Sequence, residues 1–163
     1  MTNEQLAHEF EALRNLLIIG GYPEEKVTHY TRLATTLRRL PMPIEQLAKQ
    51  GRLCDVPGVG VALAATVSEY LLTGTCRRRQ EWERRVPVTL LALLNIPGVG
   101  LQTVRYLYQT CGIQSITELE DAVKKGTLQP MNRRIASRLR TYFMGRNGLQ
   151  SGQGILTFAT DGE

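Results

Sequence analysis

Apolar residues recur at helical spacing along most of the chain. At residues 6–17 they stand three or four positions apart, which places them on one face of a helix. The same spacing returns at about residues 24–40 and 132–144. Because no segment before residue 155 alternates apolar and polar positions, we predict an all-α fold. The predicted inward-facing residues are Leu6, Phe10, Leu13 and Leu17, then Val27, Tyr30, Ala34 and Leu37, and finally Ile135, Leu139 and Phe143.

Polar residues and glycines mark where the predicted helices begin and end. Thr2 and Gln5 have the spacing of a capping box, and "SITE" at residues 115–118 has the same spacing. Gly20 and Gly21 are expected to end the first helix. The remaining helices are predicted at about residues 44–50, 61–73, 77–85, 88–94, 101–110 and 116–125.

One short turn occurs twice in the chain. "DVPGVGVALAATV" occupies residues 55–67, and "NIPGVGLQTVRYL" occupies residues 95–107. We call residues 56–60 the first hairpin and residues 96–100 the second hairpin. Each lies between two predicted helices, which is the helix-hairpin-helix signature. The chain is therefore predicted to contain tandem helix-hairpin-helix domains.

The residue types in the hairpins predict a backbone that binds phosphate. Proline presets one backbone angle, and all four glycines allow positive φ and leave the backbone uncovered. Amide N–H groups then point outward at a helix N-terminus, where the helix dipole also favours an anion. The alternative is that each turn only makes a tight helix connection. The predicted phosphate-binding residues are Gly58, Val59 and Gly60 in the first hairpin and Gly98, Val99 and Gly100 in the second.

The charge distribution indicates a polyanionic partner. The net charge is +5, but residues 26–146 carry 19 basic against 8 acidic side chains, and 16 of the 20 bases in the chain are arginine. Arginine favours forked contacts with phosphate, and Arg105, one turn beyond the second hairpin, is predicted to bind phosphate there. A decayed third hairpin is predicted at residues 128–139, where glycines are replaced by Pro130, Met131 and Asn132. The arginines that follow would hold phosphate or form an ordinary exposed basic helix: Arg133, Arg134, Arg138 and Arg140.

The cysteines and the hydropathy profile predict the cellular compartment of the protein. Cys54, Cys76 and Cys111 are odd in number and lack metal-binding spacing, which favours a reducing compartment. No apolar run is long enough for a membrane span, and the acidic N-terminus does not resemble a signal peptide. We therefore expect a cytoplasmic protein, associated with the nucleoid if its source is prokaryotic.

Residues 3–140 resemble the N-terminal part of family X DNA polymerases, especially the bacterial and archaeal ones. The resemblance rests on the order and spacing of "FEALRNLLIIGG", "THYTRLATTLRRLP", "IEQLAKQGRLCDVPGVG", "YLLTGT" and "VPVTLLALLNIPGVGLQTVRYLYQTCGIQSITELEDAVKKGTL". It implies a lyase-type DNA-binding domain on the 5′-phosphate side of a gap, followed by a second hairpin on the primer side. It also implies that Lys26 and Tyr30 lie near the phosphate pocket. A monovalent cation, Na⁺ or K⁺, is implied at the backbone of Val56, Val59, Ile96 and Val99.

The chain also departs from that family pattern. The lyase lysine of the family falls at Thr66, which cannot form a Schiff base with a sugar aldehyde, and a second family lysine falls at Ala62. The C-terminal "GQGILTFATDGE" resembles the short strand that opens the palm domain, yet the paired aspartates of nucleotidyl transfer do not follow it. We therefore expect neither polymerase nor lyase activity, and no catalytic residues.

These features predict three regions and one leading function. Residues 1–76 form a lyase-like helical domain, residues 77–144 a second helix-hairpin-helix domain with a degenerate third repeat, and residues 145–163 a flexible tail or orphan strand. The leading function is binding of gapped, nicked or single-stranded DNA ends in repair or processing, with no required cofactor. A catalytic or repair protein is a further predicted partner. The alternatives are a protein-interaction module that has lost most DNA binding, and a residual 5′-deoxyribose-phosphate lyase that uses Lys26 or a distant lysine.

Overall fold

The computed structural model describes residues 1–128 and 132–150, with the backbone alone for residues 147–150. These residues are mostly helical and include no strand, which confirms the all-α prediction. The predicted tail strand at residues 155–160 lies outside them. None of the helices described is both long and apolar enough to cross a lipid bilayer. The α-helices are α1 (Asn3–Ile19), α2 (Thr28–Arg39), α3 (Ile44–Lys49), α4 (Val61–Thr73), α5 (Arg77–Glu83), α6 (Leu101–Gln109), α7 (Ile116–Lys125) and α8 (Arg133–Gln150).

Local polar groups start the helices where the sequence predicts. The Gln5 amide donates to Thr2 Oγ1 at 3.1 Å, and the Thr2 amide donates to Gln5 Oε1 at 2.8 Å, so the first capping box is complete. At α7 the Ser115 hydroxyl accepts from the Glu118 amide, but the Glu118 carboxylate accepts from the Gln114 amide. Only half of the second predicted box therefore forms. The serine still satisfies one of the amides that a helix leaves unpaired at its start.

The first hydrophobic core is built around Phe10. Its ring stacks on Tyr30 with the ring centroids 5.7 Å apart, and it meets Tyr70 edge-on at 5.1 Å. These three rings join α1, α2 and α4, and aromatic pairs in such geometries add to the stabilisation from apolar burial. All the inward-facing residues predicted at residues 6–17 and 24–40 are at most 3% exposed.

The second core lies beneath the second hairpin. It contains Leu139 and Phe143, as predicted, whereas Ile135 is only partly buried against it. Leu16 and Ile19 of α1 also belong to this core, although most other apolar residues of α1 face the first core. One helix therefore serves both cores and ties them together.

Trp82 lies at the junction of the two cores. It packs against both of them. A Cβ atom at Gly20 would come within 2.6 Å of Trp82 Cζ3 and Val86 Cγ2, so the glycine that follows α1 permits this close approach. Near the same junction the Gln109 side-chain amide donates to the Ile19 carbonyl at 3.0 Å.

One predicted α-helix is a 3-10 helix instead. Val88–Asn95 winds with the 3.0 residues per turn of that helix type, which aligns side chains three positions apart. Leu90 and Leu93 have this spacing and are both buried, so they lie on one face of the 3-10 helix. The other 3-10 helices are Glu24–Val27, which precedes α2, and Leu53–Asp55, which leads into the first hairpin.

Candidate nucleic-acid interface

The two hairpins have nearly the same backbone conformation. The first glycine of each turn has positive φ, 81° at Gly58 and 80° at Gly98. The second glycine is extended, with φ −86° and ψ 178° at Gly60 and φ −103° and ψ 177° at Gly100. The expectation of positive φ is therefore wrong for Gly60 and Gly100. These two residues are the N-caps of α4 and α6, where an extended backbone is normal.

Buried apolar side chains and one hydrogen bond anchor each turn. The Val59 amide donates to the Val56 carbonyl at 3.0 Å, and the Val99 amide donates to the Ile96 carbonyl at the same distance. All four side chains are at most 6% exposed. Because these side chains point into the cores, the turn presents its glycines to solvent.

The glycine amides are available to a ligand. Gly58, Gly60, Gly98 and Gly100 are exposed, and none of their N–H groups has an acceptor among the described residues. The amides of the first helical turn that follows also lack intrahelical acceptors. Such a group of outward N–H donors at a helix N-terminus suits an anion.

The first hairpin has open space above it. A Cβ atom at Gly58 would meet no atom of the described residues within 4 Å. The helix that follows carries no basic residue, and Val61 and Leu72 on it are 81% and 84% exposed. Thr66, at the family's lyase-lysine position, donates its hydroxyl to the carbonyl four residues earlier at 3.0 Å. This hairpin therefore offers backbone donors without a neighbouring cation on its own helix.

The second hairpin is partly covered by an arginine. A Cβ atom at Gly98 would lie 2.7 Å from Arg138 Nη1 and 2.9 Å from Arg138 Cδ. The sequence pattern placed Arg138 only on a basic helix and did not indicate this contact. Arg105, the base predicted to assist the hairpin, has its Nε 3.5 Å from Gln109 Oε1, on the turn of α6 away from the hairpin.

The predicted third hairpin is described only in part. Pro130 and Met131 lie outside the described residues. Asn132 Oδ1 accepts from the Arg134 amide at 2.9 Å, as a helix-capping residue does. Arg133 and Arg134 are exposed on the first turn of α8, apart from the groove that Arg138 lines at the second hairpin. Their binding to phosphate stays a prediction.

A second group of arginines lines a cleft of about 440 Å³ beside α4 and α5, which we call the arginine cleft. Half-buried Arg78 places its guanidinium carbon 5.2 Å from the Tyr22 ring centroid and 6.0 Å from that of Tyr30. Within the described residues it has no carboxylate partner, whereas Arg79 pairs with two glutamates. A partly desolvated guanidinium without a counterion favours an anionic ligand. The lining of the arginine cleft is Tyr22, Thr66, Glu69, Cys76, Arg77, Arg78, Glu81, Trp82 and Arg85, and within it Arg85 pairs with Glu81.

Lys26 and Tyr30 differ in solvent exposure. Lys26 is exposed on the 3-10 helix before α2, whereas Tyr30 is 3% exposed and burial raises its pKa. The His29 ring lies 4.0 Å from that of Tyr30, and burial together with the charge of Arg78 lowers the pKa of His29. The imidazole is therefore neutral near pH 7. Contacts of Lys26 and Tyr30 with phosphate stay predictions.

The hairpin carbonyls fit the monovalent cation that the family resemblance implies. Backbone carbonyl oxygens can replace the hydration shell of such an ion. The Val56 and Ile96 carbonyls accept one turn hydrogen bond each and keep a second lone pair, and those of Val59 and Val99 accept no backbone donor in the described ranges. Binding of the ion stays a prediction. Residues 1–128 and 132–150 contain no cluster of three His, Cys, Asp or Glu residues suited to a metal ion.

Comparison with known proteins supports the resemblance seen in the sequence. Residues 1–76 match the family described as Helix-hairpin-helix domain. Over 126 residues the chain is 24% identical to the DNA polymerase/3'-5' exonuclease PolX of Bacillus subtilis (strain 168). That alignment covers 75% of this chain, and the chain spans 22% of the relative's length. The resemblance to a helix-hairpin-helix region of family X polymerases is therefore confirmed.

Proposed function

We propose that this chain binds DNA through the phosphate backbone, without reading base sequence. The observation that carries this proposal is the repeated turn, in which exposed glycine amides of matching geometry stand at two helix N-termini. Contacts with phosphate position a protein on DNA and carry no sequence information directly. The helix-hairpin-helix match and the polymerase relative favour DNA as the source of the phosphates.

The preferred DNA is gapped, nicked or single-stranded at an end, as expected for a protein of repair or processing. The hairpins lie on two cores joined through α1 and Trp82, which supports binding at two positions along DNA. The arginine cleft supports a third position, where Arg78 would hold a terminal 5′ phosphate. A separate catalytic or repair protein would then act on the DNA that this chain holds, and a monovalent cation at a hairpin would assist the phosphate contacts.

The proposed role is not enzymatic. The hydroxyl of Thr66 is bonded to a backbone carbonyl, and threonine cannot form a Schiff base in any case. A residual lyase that uses exposed Lys26 is the competing chemical hypothesis. Borohydride trapping on an abasic 5′ end separates the two, and we expect no covalent adduct. An adduct that disappears in Lys26→Ala would establish the lyase instead.

A protein-interaction module is the second candidate function. It is favoured by α4, where Val61 and Leu72 are strongly exposed and no basic side chain is present. The two side chains stand at opposite ends of α4, so they would provide two separate apolar contacts for a partner protein. Under this hypothesis the hairpins serve only to connect helices, and binding would depend little on salt.

The deciding experiment measures binding to single-stranded, duplex, gapped and 5′-phosphorylated DNA by fluorescence anisotropy. We expect affinity for the gapped substrate to fall steeply from about 50 to about 200 mM salt, because phosphate contacts release counterions. The matched control is the double variant Gly60→Val with Gly100→Val, which keeps the net charge and blocks both amide groups. Both sites have negative φ and no atom within 4 Å of an added Cβ, so the variant should fold. Wild-type affinity in a folded double variant would exclude hairpin-mediated binding.

A further inference from the structure

A groove of about 590 Å³ runs between the second hairpin and α8. One wall is the backbone of the hairpin, and the other is a polar face of α8. Such a wall is missing at the first glycine of the first hairpin, since a Cβ atom at Gly58 would have no neighbour within 4 Å. The lining residues are Pro97, Gly98, Ser137, Arg138, Thr141 and Tyr142.

Arg138 reaches the hairpin because Gly98 has no side chain. Besides Nη1 at 2.7 Å, the guanidinium carbon of Arg138 would lie 3.4 Å from a Cβ atom at Gly98. Gly98 is favoured by its φ of 80°, and a side chain at this position would displace the end of the Arg138 side chain. Arg138 is exposed and has no carboxylate partner in the described part of the chain. Its charge therefore lies beside the first glycine of the second hairpin, and no described carboxylate neutralises it.

Two hydroxyl groups share this groove with the arginine. Ser137 and Thr141 stand one helical turn apart on α8, so both face the groove. Other helical hydroxyls in this protein donate to the carbonyl four residues earlier, as Thr35 and Ser68 do. Ser137 and Thr141 have no hydrogen-bond partner among the described residues. They remain free to donate to a ligand in the groove.

We propose that Arg138 is a DNA-binding residue of the second hairpin, with Ser137 and Thr141 as neighbouring hydroxyl donors. The guanidinium makes a forked contact with a phosphodiester of the strand that passes the hairpin. The hydroxyls contact the adjoining phosphate or sugar oxygens. This inference rests on the proposed DNA binding, and it makes the second hairpin the stronger of the two contacts.

The test combines one charge variant with neutral phosphates in the DNA. Arg138→Ala should weaken binding to a gapped duplex about tenfold and reduce the salt slope by about 0.9, as expected for one lost phosphate contact. Arg138→Lys should restore the slope but only part of the affinity, because lysine cannot make the forked contact. Arg39→Ala removes an equal charge from an exposed position on α2, which packs in the first core, and should change neither quantity appreciably.

A scan of single methylphosphonate substitutions then locates the contact. In the wild-type protein, neutralising one particular phosphate should weaken binding. In Arg138→Ala the same substitution should have no further effect, because the partner charge is already gone. Arg138→Gln, which keeps a long polar side chain, repeats the scan if the alanine variant unfolds.

The outcomes separate this inference from the function on which it rests. Salt-dependent binding by the wild type with equal losses in Arg138→Ala and Arg39→Ala would overturn the role of Arg138 alone. If the same methylphosphonate weakens binding by Arg138→Ala as much as it weakens binding by the wild type, the role of Arg138 is overturned as well. Binding that is absent or insensitive to salt in the wild type would overturn the proposed DNA binding and the role of Arg138 together.

Discussion

The first and second hairpins are alike in backbone and different in surroundings. Both turns have a glycine near φ 80° and an extended glycine at the helix N-cap. Both are anchored by two buried apolar residues and one hydrogen bond of 3.0 Å. Only the second has a guanidinium against its first glycine, contributed by a helix 40 residues along the chain. The turn itself thus provides the amides, and tertiary packing decides which copy also has a cation.

The helices that follow the two hairpins also differ in their basic side chains. The exposed positions of α4 include apolar side chains, and the helix has no base. By contrast, α6 carries Arg105 and shares the second core with the basic helix α8. The contrast predicts that the second hairpin contributes more to binding a polyanion than the first, provided that both hold phosphate.

Gly100→Val should produce the largest loss of DNA affinity. Valine would cover the amides of the second hairpin, where Arg138 adds charge, so the loss should be about 1.5–3 kcal/mol. The residue has φ −103° and open space around it, so stability should change little. Anisotropy titrations with gapped DNA measure the first quantity, and thermal unfolding measures the second. Unchanged affinity in a folded variant would remove the second hairpin from the interface.

Gly58→Ala should reduce stability more than Gly60→Ala. Alanine at φ 81° enters the left-handed region and should cost about 1–3 kcal/mol in the free energy of unfolding. At the N-cap position with φ −86°, alanine fits, and the change should be within about 0.5 kcal/mol. Urea unfolding of both variants measures the difference. Equal losses of stability would contradict the positive φ of Gly58 and the negative φ of Gly60.

Gly60→Val should weaken DNA binding less than Gly100→Val. The first hairpin has no described guanidinium against its first glycine and no base on the helix that follows, so the loss should be about 1 kcal/mol, the net value of an ordinary hydrogen bond. The same titrations on the same gapped DNA make the comparison direct. If the two valine variants lose equal affinity, the packing of Arg138 on the second hairpin gives that copy no advantage.

Arg105→Ala should have the smallest effect on affinity, below about 0.5 kcal/mol. Its Nε contacts Gln109 Oε1 on the turn away from the hairpin, so its charge acts on DNA only at a distance and is screened by salt. The salt slope of binding should change by less than it does in Arg138→Ala. A slope change of about one unit in Arg105→Ala would show a direct phosphate contact by Arg105.

Much of the fold follows from sequence because its causes are local. Apolar spacing in α1 and α2 identifies their buried faces, and Thr2 with Gln5 marks where α1 starts. The prediction of local structure is wrong at two places. Val88–Asn95 is a 3-10 helix, and the Glu118 carboxylate accepts from the Gln114 amide in place of completing its capping box.

The residues of the candidate site also fall into two groups, those that local sequence predicts and those that only the packing of helices places. The hairpin residues could be found from sequence, because proline presets one backbone angle, glycine permits the positive φ that the turn needs, and the motif occurs twice. Positive φ at Gly60 and Gly100 was the wrong expectation, since the helix N-cap and not the residue type decides their φ. Arg78 and Arg138 were visible only as members of basic runs, and no local pattern distinguished them from Arg77 or Arg133.

By itself, the sequence determined the helices and the turns, because backbone preferences, caps and apolar spacing act within a few residues. Only the tertiary structure decided that α1 serves both cores, through Leu16 and Ile19. It also decided that Arg78 lies over Tyr22 and that Arg138 lies against Gly98. A long arginine side chain takes its position from whichever helices pack beside it, and that packing is fixed by the buried surfaces of residues far away in sequence.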